Sequence, residues 1–264
     1  MADPATLAAG AVAILGTSEP AQKARLSAAL AARWRRGTLP IGRADAPPRP
    51  ARPARPLLLP PRDVPKRRNF ASSVGRIALL HALAHIELNA IDLAWDLIAR
   101  FGDPALPLEF FADWVAVAAD EAAHFGLLAT RLAMLGAAYG DLPAHDGLWA
   151  AATATADDPV ARLAIVPLVL EARGLDVTPG MIGRLERVGD RESAAVLARI
   201  YRDEIGHVAA GMRWFKFFCR AGRVEPAAAF RAAVEHRFTG GLKPPFNRRA
   251  RDAAGIPAAY YDGS

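Results

Sequence analysis

Residues 120–124 read Asp-Glu-Ala-Ala-His and residues 203–207 read Asp-Glu-Ile-Gly-His, and a lone glutamate precedes each, Glu87 the first and Glu171 the second. The copies are offset by 84 residues at the lone glutamate (171 − 87) and by 83 at the Asp, Glu and His (203 − 120). A single Glu-x-x-His is weak evidence of anything. A second copy, with the same preceding Asp and a near-constant offset, is not what chance produces. Four carboxylates and two imidazoles in this pattern are what a two-metal site inside a four-helix bundle requires.

The surroundings of these residues support that placement. Side chains three or four apart share a helix face. Around Glu87 that face carries Leu80, Leu83, Ala84, Ile91 and Ala94; around Glu121 and His124 it carries Trp114, Val117, Ala118, Phe125 and Leu128. Glu171 keeps company with Ala164, Leu168 and Leu175, and Glu204 and His207 with Leu197, Ile200, Val208, Gly211 and Phe215. Each carboxylate therefore interrupts an apolar stripe that packs inward. A lone buried carboxylate costs several kcal/mol or takes up a proton. Two divalent cations balance four of them, with neutral imidazoles completing the ligand sets. The expected ligands are Glu87, Glu121, His124, Glu171, Glu204 and His207. An oxygen-rich set without thiolate disfavours structural zinc and suits iron, manganese or a mixed pair.

Asp120 and Asp203 sit one residue before a ligand glutamate, about 100° around the helix. There a carboxylate is placed to accept the second N–H of a ligand histidine on a neighbouring helix. Surface solvation is the plainer alternative.

The rest of the chain reads as helix. The 264 residues are rich in Ala, Leu and Arg and lack strand-type alternation, which points to an all-α class. Two segments are expected: residues 1–68, a short helix over 20–36 followed by a Pro/Arg-rich arm, and residues 69–264, the bundle with a C-terminal extension. Bundle helices are expected at 73–100, 108–135, 160–173 and 192–220, with a long connection over 137–158. Pro167 is expected to kink the third helix, and Gly174 to end it. Thr178-Pro179 is expected to start a small extra helix reaching about Val188, and Pro226 a final one before an irregular tail.

The net charge of +6 divides unevenly. Residues 1–68 hold 13 Lys/Arg against 4 Asp/Glu, a balance of +9, and residues 69–264 hold 20 against 23, a balance of −3. A basic arm binds polyanions in some proteins, but solvated charge wrapped on the body is the commoner outcome. One cysteine, Cys219, excludes an internal disulfide framework. No uninterrupted apolar run approaches the ~18 residues of a membrane span, and the N-terminus lacks a basic stretch before its Ala-rich segment. A cytoplasmic protein without a membrane partner is the expectation.

The pattern Glu…DExxH…Glu…DExxH resembles the ferritin-like di-iron carboxylate superfamily over residues 73–220. More closely, the stretches HALAHIELNAIDLAWDL (81–97), DWVAVAADEAAHFGLL (113–128), EARGLDVTPGMI (171–182), YRDEIGHVAAGMRWF (201–215) and LKPPFN (242–247) resemble the bacterial family named domain of unknown function 455. The superfamily resemblance implies a ferritin-like four-helix bundle with all six ligand positions matched. It implies O2-activating chemistry on a small organic substrate more than iron storage, and an electron-donor protein if that chemistry is hydroxylation. Two other readings stand beside it: an RNA-modifying hydroxylase using the basic arm, and a metal-binding or oxidative-stress protein without organic substrate. Dimerisation through leftover apolar helix faces is plausible.

Other residues invite chemical roles with blander counterparts. His81 and His85 lie one turn apart with Asp92 on the face of His85, which could be a ligand pair, but His85 is about 200° from Glu87, so helix–helix hydrogen bonding is expected rather than a second metal. Tyr201, one turn before Glu204, is a candidate radical or proton donor, or simply a buried phenol with one hydrogen bond. His145 reads as a turn residue, Arg173 as the partner of an acid or an anionic substrate, and Cys219 as packing.

Overall fold

The computed structural model describes residues 4–262, and among them the secondary structure is helical apart from one isolated β-bridge, Leu58 with Ala144. The chain divides into two compact units at Trp149–Ala150.

The first unit is built on a helical hairpin, α3 (Ser73–Phe101) against α4 (Leu108–Met134). The Ser72 side chain caps α3 by accepting the Gly75 N–H at 3.1 Å. Gly75 lets the incoming chain fold tightly back, because a Cβ there would lie 2.2 Å from the Asn69 carbonyl oxygen. The helix ends at Gly102, as Gly102-Asp103-Pro104 predicts. Two earlier helices cover the hairpin: α1 (Leu7–Leu15) packs on α3 and α2 (Pro20–Arg35) on α4. Trp95, Phe110, Phe111 and Trp114 are fully buried in this unit. The Pro/Arg-rich segment is thus the cover of the unit, joined to it by α1, α2 and the Leu58–Ala144 bridge.

Lys23 reaches from α2 into the unit and meets Asp92 of α3 at 2.5 Å, with both side chains buried. Arg52 closes on the other oxygen of Asp92 at 2.8 Å and on Asn89 Oδ1 at 2.5 Å. Asp92 therefore belongs to the arm's cations rather than to His85. By average hydropathy α3 is long and apolar enough to cross a membrane, although no apolar run within it approaches that length. Its most apolar window is 78% buried inside the protein.

The second unit departs further from expectation. The long connection contains a helix, α5 (Gly147–Ala154), that starts at the end of the first unit. Then α6 (Pro159–Ile165) passes into a π-helical turn, Val166–Glu171, and on without a break into α7 (Ala172–Arg187). Gly174 does not end the helix, and Pro179 lies inside it. The widened turn accommodates Pro167, whose ring would clash with a carbonyl in a regular α-helix. It is matched by Gly211 of α8 (Arg191–Ala221), where a Cβ would sit 2.4 Å from the Pro167 Cβ. After α9 (Pro226–Arg237) the tail is not irregular throughout: it forms α10 (Arg248–Ala253), capped by Asn247.

Candidate metal centre

Within the first unit, α3 and α4 bring Glu87, Glu121 and His124 together. Glu87 is 3% exposed, Glu121 0% and His124 1%. The His124 Nδ1 atom lies 3.3 Å from Glu87 Oε2 and 3.5 Å from Glu121 Oε2. One ligand atom from each of the three falls within 4.8 Å of the others, a spacing at which a single metal ion reaches all of them. The i, i+3 spacing of Glu121 and His124 puts both on one face of α4, and antiparallel packing of the hairpin supplies Glu87 across it.

The electrostatics favour positive charge at this point. Burial alone would lower the His124 pKa, but hydrogen bonds to Glu121 and Glu87 and their charges outweigh it, and the imidazole is raised to about 11. Two carboxylates out of water hold either a proton on His124 or a cation in its place.

The second unit presents the other copy of the motif. Glu204 and His207 share one face of α8, with His207 Nδ1 3.5 Å from Glu204 Oε2, and His207 is buried. Glu171 is the last residue of the π-helical turn and is half-buried. Each unit therefore carries one complete copy of the repeat, Glu plus Glu-x-x-His, on consecutive helical segments. Asp203 accepts a hydrogen bond from Arg199, one turn back, at 2.6 Å, and Asp120 is half-buried.

A clasp from the tail orders the helix that follows Glu171. Pro179 cannot donate to the carbonyl of Leu175, and the Asn247 side chain does so instead at 3.1 Å. The same amide group donates to the Tyr201 hydroxyl at 3.0 Å, so the phenol is an acceptor within this clasp. Asp176 accepts the Asn247 N–H and the Arg251 guanidinium, and Arg173 donates to the carbonyls of Lys243 and Pro245. The stretches 171–182 and 242–247 thus meet directly, which their separation in sequence concealed.

Three other histidines, His81, His85 and His145, hold loops. His81 Nε2 accepts the Gly140 N–H at 2.9 Å, His85 contacts the Tyr139 hydroxyl at 2.9 Å and the His145 carbonyl at 3.2 Å, and His145 Nδ1 accepts the Gly147 N–H. Hydrogen bonding was expected of His81 and His85, but their partners lie in the connection after α4 rather than on another helix. Cys219 is buried, and burial pushes its thiol up to about 11, an inert packing residue.

No solved structure matches the chain. An uncharacterized protein of Haemophilus influenzae is 43% identical over 209 residues, covering 77% of this chain and 72% of that protein. The model of the family described as "Protein of unknown function (DUF455)" matches residues 16–262, which takes in both copies of the repeat and the tail clasp, and the chain belongs to that family.

Proposed function

We propose that the two triads together hold a dinuclear metal centre, di-iron in the first instance, in a ferritin-like four-helix bundle, and that the protein is an O2-activating oxidoreductase. The observation that carries the reading is the buried Glu87–Glu121–His124 group in one unit, repeated in sequence as Glu171, Glu204 and His207 in the other. One triad offers two carboxylates to a divalent ion, and two triads balance two such ions with no charge left over. The donor set fits: carboxylate oxygens with one imidazole each are ligands that iron(II) and manganese(II) accept, and a thiolate is absent from both copies.

Bound iron would supply electrons to O2 and draw replacements from a donor protein. For hydroxylation the balance is R–H + O2 + two electrons + two protons giving R–OH + H2O, with the substrate left open. The chain's own residues hold the ions, exclude bulk water through the apolar faces of α3 and α4, and restrict access by burial. An RNA substrate gains no support from Arg43, Arg49, Arg52 and Lys23, which are engaged with carboxylates of the same chain.

The test is metal content and Mössbauer spectra of protein purified anaerobically, beside the isosteric Glu121→Gln and Glu204→Gln. About two ions per chain, spin-coupled and depleted in both variants, is the expected result. Folded protein that takes up no metal after reconstitution with iron and with manganese would sink the proposal. Iron oxidation without product from any organic substrate would leave the centre standing and remove the hydroxylase assignment.

A further inference from the structure

Pro61 and residues 64–68, Ala82, His85 and Ile86 of α3, and residues 143–145 with Leu148 line a hollow of about 390 Å³ in the first unit. None of the six repeat residues lines it. Pro61, Val64, Ile86, Pro143 and Leu148 give it apolar walls, and three consecutive cations, Lys66, Arg67 and Arg68, line it too. No carboxylate does.

The cations differ from four other arginines of the arm, which are paired with acids. Arg43 meets Asp103, Arg49 meets Asp146, Arg52 meets Asp92 and Arg62 meets Asp63. Among the described residues, the side chains of Lys66, Arg67 and Arg68 enter no hydrogen bond or ion pair. Three adjacent like charges without a counter-charge repel one another, and an anion among them relieves that repulsion. Their field reaches the wall of the hollow: burial lowers the pKa of His145, and the charge of Arg67 lowers it further against the pull of Asp146.

The histidines in the wall are committed elsewhere. His85 uses both ring nitrogens on Tyr139 and the His145 carbonyl, and His145 Nδ1 accepts the Gly147 N–H. A metal therefore finds no ready ligand pair here, and the cations define what the hollow attracts. Its size falls within the range of ~300–1,000 Å³ of small-molecule sites. A ligand bearing an ammonium group would find no acid to meet. Two guanidiniums and an ammonium match a phosphate dianion, since guanidinium forks grip its oxygens in pairs.

We propose that this hollow binds a small organic phosphate, its phosphate held by Lys66, Arg67 and Arg68 and its apolar body resting on Val64, Ile86, Pro143 and Leu148. The site is independent of the metal reading. Calorimetric titration of the full chain with phenyl phosphate, inorganic phosphate, phenol and a short single-stranded RNA tests it. Phenyl phosphate is expected to bind about tenfold or more tightly than inorganic phosphate, and phenol not at all. The double variant Arg67→Ala/Arg68→Ala should weaken phenyl phosphate by at least about tenfold. Ile86→Asp should erase its advantage over inorganic phosphate. These side chains are exposed, so the variants should keep the parent melting temperature, and metal content measured in parallel separates this result from the fate of the dinuclear centre. Equal affinity for phenyl and inorganic phosphate, or affinity unchanged by the double variant, would overturn the proposal. So would RNA binding that depends on Arg67 and Arg68 while phenyl phosphate fails to bind, since the cations would then serve a nucleic-acid surface.

Discussion

The Nε2 atom of His81 accepts the N–H groups of both Gly140, at 2.9 Å, and Leu142, at 3.4 Å, and so holds the turn after α4 onto α3. An imidazolium has no lone pair for either. Burial keeps the His81 pKa below its ordinary 6.5, although Asp141 pulls the other way. The unfolded chain takes up a proton near pH 6.5 that the folded chain resists. The stabilising contribution is therefore present above pH 6.5 and is lost as the pH falls through the folded value. Urea midpoints should drop between about pH 7.5 and about pH 5, and His81→Gln, whose side-chain oxygen accepts without titrating, should flatten part of that drop. Superimposable pH profiles for the two proteins would remove His81 from the account. Asp92 gives a second test at this scale. Lys23→Met leaves a buried carboxylate with one cation instead of two and should cost about 3–5 kcal/mol in urea unfolding. Adding Asp92→Leu should recover a large part of that loss, and a double variant no more stable than Lys23→Met alone would contradict the pairing. The candidate group Glu87, Glu121 and His124 was legible because its chemistry is written locally, with an i, i+3 pair on an apolar stripe. The Lys23–Asp92 contact was not, because it spans 69 residues and nothing on either helix names its partner.

The helices were legible where they end on local signals and misread where a distant residue overrides one. Gly102-Asp103-Pro104 ends α3 where the local signal stands, with the Gly102 N–H closing on the Ile98 carbonyl. Gly174 and Pro179 look like equally good punctuation, yet the helix runs through both. Its cost is a carbonyl, that of Leu175, with no N–H four residues on to accept from, and Asn247 supplies the donor from a segment 72 residues away. The arrangement predicts coupling between Pro179 and Asn247. Asn247→Ala should cost about 1–3 kcal/mol in the parent, since it orphans that carbonyl and also removes the α10 cap. In a Pro179→Ala background the new backbone N–H serves the Leu175 carbonyl. The same substitution should then cost about 1 kcal/mol less. A double-mutant cycle that closes at zero would show that the helix tolerates Pro179 for another reason. The π-helical turn escaped the sequence reading for a related cause. Pro167 announces a disturbance, but only Gly211 on α8, matched to it in space, determines that the disturbance is a widened turn rather than a helix end.

At the scale of the whole molecule, the sequence repeat and the division of the chain coincide: Glu87, Glu121 and His124 fall before Ala150, and Glu171, Glu204 and His207 after it. Two kinds of protein have this pattern. In one, each unit is a self-sufficient mononuclear site; in the other, each is half of a dinuclear centre, as proposed above. The charge count does not separate them. One triad carries two carboxylates, which neutralise one divalent ion, so either kind is electrically sound, and only cooperativity distinguishes them. With independent sites, Glu121→Gln would leave about one ion per chain, bound as before, and Glu204→Gln would do the same to the other unit. With a shared centre, either substitution disturbs both ions. The remaining metal should bind at least about tenfold more weakly than in the parent, and the exchange coupling between ions should vanish from the magnetic spectra of both variants. Metal binding should also raise the melting temperature of the parent in proportion to the logarithm of free metal concentration, since the ion binds the folded chain preferentially. For a shared centre that rise should shrink in each single variant by more than half, and Glu121→Gln/Glu204→Gln together should cost less than the sum of the two. Strict additivity, with one tightly held uncoupled ion in each single variant, would replace the dinuclear centre with two separate sites of the same chemistry.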